Sequence, residues 1–172
     1  MNKADALLLL VEDEAAIRSV VEKQLRVLGY RSPEFAENGA IAVRLASLKR
    51  YDVIFMDSRL PVLDGLSATQ RIREDERQRK VPPACIIGLT AYSDRTRCLE
   101  VGMNDYLQKP VMLYQLDQIL RACLKTEDEV ESIIRNADKV IEMEKAKIES
   151  TQQRLGDLHS RITELRKRAG LD

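Results

Sequence analysis

The sequence predicts an α/β protein: a doubly wound, five-stranded parallel sheet with five helices, followed by a long C-terminal α-helix. Five short apolar runs alternate with five amphipathic segments in the first part of the chain, which is typical of a parallel sheet covered by helices. Polar residues directly follow several of these runs, as they do where parallel strands end at a ligand crevice. Beyond residue 124 an apolar residue recurs every seven positions. We therefore predict two domains, residues 1–124 and residues 125–172.

The first predicted strand is the run Leu7 to Val11, because unbroken apolar character is typical of a strand buried on both faces. The run ends in three acidic residues, Glu12 to Glu14. A helix should follow, because apolar residues return at helical spacing and Gly29 then provides a stop. The apolar face of this helix consists of Ile17, Val20, Val21, Leu25 and Leu28.

The second strand, Arg31 to Ala36, is predicted to lie at an edge of the sheet, because Pro33 cannot donate to a strand ladder. Asn38 is the predicted N-cap of the second helix, since its short side chain can accept from a free backbone N–H. The apolar face of that helix consists of Ile41, Leu45 and Leu48.

The third strand carries the residue on which the functional interpretation depends. The apolar run Val53 to Met56 leads directly to Asp57, and turn-forming residues follow at Pro61 and at Asp64-Gly65. Asp57 therefore lies at the carboxyl end of a buried strand, where ligands bind in open sheets. On this stretch alone, a turn or helix-capping aspartate is an equally good interpretation. The third helix opens at Asp64 and turns Leu66, Thr69 and Ile72 inward.

Two further strand–helix units complete the predicted sheet. Prolines precede the fourth strand and follow the fifth, and a short polar side chain caps the helix between them. The predicted elements are a strand from Ala84 to Thr90, a short helix capped by Ser93 or Asp94 that ends near Gly102, a strand from Asp105 to Gln108, and an amphipathic helix from Val111 to Leu124.

Five chemically active residues, Glu12, Asp13, Asp57, Thr90 and Lys109, all fall at predicted strand ends. Because alternate loops of a parallel sheet converge on one edge, these residues should lie together in the fold. Gathered carboxylates repel one another unless they share a hard divalent cation, and oxygen ligands suit Mg²⁺. A hydroxyl and an ammonium would bind the oxygens of a phosphoryl group that arrives at a carboxylate nucleophile. Taken one by one, the same residues are an ordinary strand-end acid, a helix-capping threonine and a solvated lysine.

Four motifs, in order and at the spacing of one family, make residues 5–124 resemble the receiver domain of two-component response regulators. The motifs are Glu12-Asp13, Met56-Asp57 with Leu60 to Gly65, Leu89-Thr90-Ala91, and Asp105 to Pro110. The resemblance implies a flavodoxin-like sheet with strand order 2-1-3-4-5. It also implies a regulatory switch rather than an enzyme, with self-phosphorylation and autodephosphorylation as its only chemistry.

The resemblance implies a role for each matched carboxylate. Asp57 accepts a phosphoryl group from a phosphohistidine on a sensor histidine kinase or a histidine phosphotransfer protein. Mg²⁺ is held by Glu12, Asp13 and Asp57, with the backbone carbonyl of Arg59 as a further ligand. Glu12 stands where many members of the family have aspartate, which is an accepted variant.

The resemblance also implies a switch at the end of the fourth and fifth strands. Thr90 and Lys109 bind the phosphoryl oxygens, and Tyr106 turns inward when the Thr90 hydroxyl moves toward them. A cis peptide bond is expected between Lys109 and Pro110. Without the family, Tyr106 is interpreted as a half-buried tyrosine of an edge strand.

Three neighbours of the expected phosphoryl site, Arg59, Ala91 and Tyr92, should set the dephosphorylation rate. Arg59 could cover the site, whereas the small side chain of Ala91 leaves the phosphoryl group accessible. Nothing in the receiver motifs indicates an adaptor that has lost phosphorylation.

Composition and charge bear on location and partners. The 172 residues carry a formal net charge of +0, so neither nucleic acid nor an anionic membrane is indicated as a partner. The first apolar run is flanked by acidic residues and is interpreted as a strand rather than a signal peptide, which favours a cytoplasmic protein. Cys85, Cys98 and Cys123 show no CxxC spacing, and we expect neither a disulfide nor a zinc site.

The tail predicts a coiled-coil helix. After a polar break from Lys125 to Asp128, apolar residues recur every seven positions over five repeats. This pattern indicates a homodimer, while a lone solvated helix and a helix folded back on the receiver are alternatives. One row of the seam consists of Ile134, Ile141, Ile148, Leu155 and Ile162, and the other contains Val130, Ala137, Leu158 and Leu165 with interruptions at Glu144 and Thr151.

Charges beside the seam weaken the case for a parallel homodimer. Nearly all of them are basic and would repel their counterparts, although intrahelical partners such as Asp157 beside Arg161 offset part of this repulsion. An acidic helix of another protein would also fit. The interruptions at Glu144 and Thr151 suit a helix that changes its pairing when the receiver switches. The flanking residues are Lys147, Arg154, Arg161, Arg166 and Arg168.

The single histidine, His159, is not predicted to be a phosphoacceptor. No acidic residue follows it directly, no proline follows soon after, and no ATP-binding segment is recognisable.

The sequence thus predicts a phosphorylation-operated switch whose receiver controls a coiled-coil helix. Phosphorylation of Asp57 is expected to reorganise the face made by the fourth helix, fifth strand and fifth helix. Two alternatives stay open. The chain could be the front part of a longer regulator whose coiled coil signals to an effector domain, or a scaffold that needs no phosphate.

Overall fold

The computed structural model describes residues 3–91, 95–124 and 127–169, and it divides into two compact units, residues 1–125 and 126–172. The first unit contains a five-stranded parallel sheet in the order β2-β1-β3-β4-β5. The strands are β1 (Leu8–Val11), β2 (Glu34–Ala36), β3 (Val53–Asp57), β4 (Cys85–Thr90) and β5 (Asp105–Gln108). The predicted fold class and strand order are confirmed.

Helices alternate with these strands, and a long helix forms the second unit. They are α1 (Ala15–Val27), α2 (Gly39–Leu48), α3 (Gly65–Arg79), α4 (Arg95–Glu100), α5 (Leu113–Cys123) and α6 (Glu127–Arg168), with a short 3₁₀ turn at Lys3–Asp5 before β1. The predicted capping residues of α4, Ser93 and Asp94, lie outside the described residues, as does Tyr92. Helix α6 begins within the segment that was predicted to be a polar break.

The sheet is buried on both faces, which explains why its central strands are apolar throughout. Every residue of β1 and β3 is buried. Leu10 and Phe55 face one core cluster together with residues of α1 and α5. Leu9 and Ile54 face the opposite cluster with residues of α2 and α3. Two cores on a single sheet are the mark of a doubly wound fold, and they hold the carboxyl ends of β1 and β3 rigidly side by side.

Predicted helix ends are present where the sequence placed them. The Asn38 side chain accepts a hydrogen bond from the Ile41 backbone N–H at 2.9 Å, and Asp64 accepts from the Ser67 N–H at 2.9 Å. Gly29 follows α1 with a φ of 90°, a left-handed conformation that glycine adopts without strain. The caps fix where α2 and α3 begin, directly beside the ends of β2 and β3.

Replacing Asn38 by alanine should destabilise the receiver. The Ile41 N–H would lose its side-chain acceptor, and such a change lowers the free energy of unfolding by about 0.5–2 kcal/mol. Chemical denaturation followed by circular dichroism measures the change. Gln70→Ala, at an exposed position inside α3, is the matched control and should stay within about 0.5 kcal/mol of the parent chain. Equal effects of the two substitutions would contradict the capping role.

The expectation that the cysteines form no disulfide was wrong. Cys85 at the start of β4 and Cys123 at the end of α5 are disulfide-bonded, with their Cα atoms 5.8 Å apart. Both side chains pack against the core cluster between the sheet and α1 and α5, which brings together residues separated by 38 positions. Spacing along the sequence carries no sign of this proximity. Cys98 is buried and takes no part in this disulfide.

Helix α6 runs for 42 residues, and Gly156 does not interrupt it. The apolar residues of its predicted seam are exposed in the single chain, by 45–61 % at Ile134, Ile141, Ile148, Leu155 and Ile162. In the part of the chain that the structure describes, no helix is both long and apolar enough to cross a membrane.

Candidate functional site

The strand register brings the predicted site residues to one edge of the sheet. Val11 is opposite Met56, so the residues that follow them, Glu12 and Asp57, lie at the same level. Asp57 is opposite Leu89, which puts Thr90 one residue beyond it on β4. Thr90 in turn is opposite Gln108 of β5, directly before Lys109. Residues that are far apart in sequence therefore meet at the carboxyl ends of β1, β3, β4 and β5.

Three carboxylates form a cluster at this edge. One oxygen each of Glu12, Asp13 and Asp57 lies within 4.8 Å of the others. Glu12 and Asp57 are buried, at 0 % and 6 % exposure, whereas Asp13 is exposed. Burial raises the pKa of Glu12, and the nearby charge of Asp57 adds to this, while a hydrogen bond from Lys109 acts in the opposite direction. The cluster thus contains buried negative charges that repel one another.

Lys109 bridges the two buried carboxylates. Its Nζ donates to Glu12 Oε2 at 2.5 Å and to Asp57 Oδ2 at 2.7 Å. Burial lowers the pKa of Lys109, but the hydrogen bonds and negative charges of Asp57 and Glu12 outweigh burial, and the pKa is raised overall. Lysine is therefore a fixed positive charge here, held beside the oxygens of Asp57.

The donor set fits a divalent cation. Three carboxylates and one ammonium, each counted in its charged form, give the cluster a formal net charge of about −2. All the candidate ligand atoms of the carboxylates are hard oxygens, which Mg²⁺ prefers, and the exposed Asp13 leaves the cluster open to solvent. The residues present therefore suit Mg²⁺ bound from the solvent side.

The loop after β3 holds Asp57 in place. The Arg59 N–H donates to Asp57 Oδ1 at 3.0 Å, and the Ser58 N–H donates to the Leu89 carbonyl at 3.0 Å. The Gly65 N–H donates a hydrogen bond to the Ser58 carbonyl at 3.2 Å. A Cβ on Gly65 would lie only 1.8 Å from the Asp57 carbonyl oxygen. The loop closes this tightly because residue 65 has no side chain.

Gly65→Ala should therefore disturb both stability and the position of Asp57. The added methyl meets rigid backbone, so the chain must shift, and such overpacking lowers the free energy of unfolding by about 1–3 kcal/mol or more. Thermal unfolding and Mg²⁺ titration of the folded variant measure the two effects. Gly156→Ala is the matched control, because nothing lies within 4 Å of a Cβ at that position. A Gly65→Ala variant as stable as the parent would show that the loop can yield.

Thr90 and Tyr106 occupy the neighbouring strands. Thr90 is 4 % exposed at the end of β4, and its carbonyl accepts from the Lys109 backbone N–H at 2.8 Å. Tyr106 is half-buried on β5 and packs against the core cluster of α2 and α3. The peptide bond between Lys109 and Pro110 is cis, as expected.

Arg18 is a supporting residue that the sequence interpretation missed. Its Nη1 donates to the carbonyls of Glu12 and Asp13, at 2.8 and 2.9 Å, and so fastens the loop that carries the acidic pair. The guanidinium also lies 3.5 Å from Glu37. The available signal was a basic residue on the first turns of α1, one helical turn after Glu14, whose side chain can reach back to the preceding loop.

Comparison with known proteins agrees with this geometry. Residues 8–121 match the family model of the response regulator receiver domain. Hybrid signal transduction histidine kinase B of Dictyostelium discoideum is 41 % identical over 115 residues, which are 60 % of this chain and 6 % of that protein. Two-component system protein A of Emericella nidulans is 40 % identical over 119 residues, which are 68 % of this chain and 17 % of that protein. The chain thus spans a small part of these two relatives.

Solved structures show the same fold. The receiver domain of sensor histidine kinase PA1611 from Pseudomonas aeruginosa PAO1, crystallised with a magnesium ion coordinated in its active site cleft, is 50 % identical with a TM-score of 0.59, over 68 % of this chain and 95 % of that one. The receiver domain of Saccharomyces cerevisiae Ssk1, in complex with the phosphotransfer protein Ypd1, is 34 % identical with a TM-score of 0.64, over 67 % of this chain and 86 % of that one.

The strand order, the acidic cluster and the match over two thirds of the chain lead to one assignment. Receiver domains are regulatory switches of two-component signalling rather than classical enzymes. By residues 8–121, the chain belongs to the response regulator receiver domain family.

Proposed function

We propose that the chain is a phosphorylation-operated switch in which Asp57 accepts a phosphoryl group from a phosphohistidine. The observation that carries this proposal is the Lys109 ammonium, 2.7 Å from an oxygen of Asp57, beside three clustered carboxylates. A purely structural aspartate needs no such neighbours. In this proposal residues 1–124 are the receiver domain and residues 125–172 a helical extension.

The chemistry assigned to Asp57 is nucleophilic substitution at phosphorus. A carboxylate oxygen of Asp57 forms the new P–O bond while the P–N bond to histidine breaks, and the imidazole leaves with the electron pair. Lys109 and the Thr90 hydroxyl bind the phosphoryl oxygens, and their fixed position lowers the energy of the developing charge. Glu12, Asp13, Asp57 and the Arg59 carbonyl would hold Mg²⁺, which supplies charge neutralisation between carboxylate and phosphoryl group when bound.

The response is proposed to pass through Thr90 and Tyr106. Movement of the Thr90 hydroxyl toward the phosphoryl group leaves space that the Tyr106 ring fills, and this alters the face made by α4, β5 and α5. The partners on the input side are a sensor histidine kinase or a histidine phosphotransfer protein, which is the kind of partner that Ssk1 has in its complex. We place the protein in the cytoplasm, where such donors act.

The output is proposed to be association through α6, as a homodimer or with a downstream protein. The exposed seam of α6 supports this association, because a helix surrounded by water does not require an aliphatic side chain at every seventh position. A second candidate is the front part of a longer regulator, in which α6 leads to an effector domain. That candidate is favoured by the small part of its relatives that the chain spans.

The test combines phosphoryl uptake with mass in solution. The full chain is incubated with a small-molecule phosphodonor and Mg²⁺, and intact mass spectrometry counts the phosphoryl groups. The expected result is one group per chain, lost on chelation of Mg²⁺, with sedimentation showing a change in self-association. Uptake without any change in association would support the longer-regulator candidate, and absence of uptake with an intact fold would refute the switch.

A further inference from the structure

Helix α6 carries two rows of seam residues that need a partner. From residue 134 onward, the a row is Ile134, Ile141, Ile148, Leu155 and Ile162, and the d row is Ala137, Glu144, Thr151, Leu158 and Leu165. The aliphatic members, apart from Ala137, expose 45–62 % of their surface in the single chain. The identity and direction of the partner helix are decided by the two polar members of the d row and by the charges beside the seam.

A parallel, in-register pair of α6 helices puts like charges together. In such a pair each seam residue meets its own counterpart, so two Glu144 carboxylates would face each other inside the seam. On the flank, Arg161 would lie beside Arg166 of the second copy, because flanking residues contact those five positions further along. Like charges that are brought together inside a seam or along its flank are unfavourable.

An antiparallel pair removes the conflict inside the seam. Each a-row residue then lies opposite a d-row residue of the second copy, and every layer contains at least one aliphatic side chain. The layers are Ile134 with Leu165, Ile141 with Leu158, Ile148 with Thr151, Leu155 with Glu144, and Ile162 with Ala137. Glu144 and Thr151 then lie in separate layers, each opposite an aliphatic residue, and neither faces its own counterpart.

Glu144 also gains a second cation in the antiparallel register. Lys147 Nζ already donates to Glu144 Oε1 at 2.7 Å within the helix. In the antiparallel register Arg154 of the second copy comes level with Glu144, on the same side of the seam. The carboxylate then lies between two basic side chains and offsets their mutual repulsion.

The two ends of α6 carry opposite charges. The first turns contain Glu127, Asp128, Glu129 and Glu131, and the last turn contains Arg166, Lys167 and Arg168. The basic residues of the last turn suit the dipole of that helix end in any arrangement, so the dipole does not discriminate between directions. Only antiparallel pairing puts the acidic end of one helix beside the basic end of the other.

We infer that α6 binds α6 of a second copy of this chain in antiparallel orientation, with Ile134 opposite Leu165 and Ile141 opposite Leu158. The inference rests on the proposed self-association and adds its direction and register. Since a 42-residue helix is about 60 Å long, the two chains enter the pair from opposite ends.

Site-directed cross-linking of the full chain tests the direction. Ile134→Cys and Leu165→Cys chains, one of them isotope-labelled, are mixed and mildly oxidised, and mass spectrometry identifies the linked peptides. The expected product joins residue 134 of one chain to residue 165 of the other, and Ile134→Cys alone gives no link between two residues 134. Ile141→Cys with Leu158→Cys repeats the test one heptad inward, and Ser150→Cys, outside both rows, is the control.

Each other outcome has a distinct meaning. Links between two residues 134 and between two residues 165, with no mixed product, would establish a parallel pair and overturn the inference while self-association stands. No link at either position, together with a monomeric mass by sedimentation, would overturn the proposed self-association as well. The parent chain gives the baseline for Cys85, Cys98 and Cys123, and circular dichroism verifies that each variant keeps its helix content.

Discussion

Asp57→Asn is expected to abolish phosphoryl uptake while the receiver stays folded. The amide is the same size as the carboxylate, and its single oxygen can keep the hydrogen bond from the Arg59 N–H, which Asp57 accepts at Oδ1. The amide nitrogen cannot accept the Lys109 hydrogen bond that Asp57 accepts at Oδ2, but Lys109 still donates to Glu12, so the site loses one contact and keeps its packing. An amide is not a nucleophile toward phosphorus, however, and no P–O bond forms. Intact mass after incubation with a phosphodonor and Mg²⁺ should show no added phosphoryl group.

The same substitution should weaken Mg²⁺ binding. Removal of one of three clustered carboxylates lowers the charge that attracts the cation, and oxygen ligands of lower charge bind divalent ions less tightly. Asp75→Asn is the matched control: Asp75 is paired with Arg79 near the end of α3 and should leave uptake and Mg²⁺ affinity unchanged. If the Asp57→Asn chain still accepts a phosphoryl group, the acceptor is another residue. If the function of the protein in cells is unaffected by the substitution, the protein acts as a scaffold that needs no phosphate.

The fold could be predicted from the sequence because burial on both faces leaves a clear pattern. Strands β1 and β3 consist of consecutive apolar residues, and Asn38 and Asp64 mark the helices beside them. The site followed from the same logic, since parallel strands put their last residues at one edge. Local pattern therefore sufficed wherever a residue's role depends on its position within one element.

Features that depend on how side chains and loops meet in three dimensions were not predicted. The pairing of Cys85 with Cys123 requires the end of α5 to meet the start of β4, and nothing in their spacing indicates it. Arg18 has no motif of its own, and its role appears only when its guanidinium reaches two carbonyls of the preceding loop. The sequence marks Gly65 as a turn residue, but the need for glycine comes from its approach to the Asp57 carbonyl.

Lys109→Ala is expected to convert a stable site into one that depends on Mg²⁺. Lys109 is the cation that directly contacts both Glu12 and Asp57, and Glu12 is fully buried. Removal of one partner from a buried ion pair costs up to about 3–5 kcal/mol. The decrease in the free energy of unfolding should be smaller than this limit. Burial already raises the pKa of Glu12, so without Lys109 its carboxyl group can take up a proton.

Mg²⁺ should restore much of the lost stability, since the ion neutralises the same carboxylates and binds the folded state alone. Thermal unfolding with and without Mg²⁺ measures this, and the variant should gain more from the ion than the parent chain does. Lys23→Ala, at an exposed position on α1, is the control for loss of a lysine. If the Lys109→Ala chain takes up a phosphoryl group, its association through α6 should not change. The reason is that the phosphoryl oxygens then lack the Lys109 ammonium, which the proposed switch requires. A variant that is equally stable with and without Mg²⁺ would contradict the view that lysine and metal ion neutralise one shared cluster of charge.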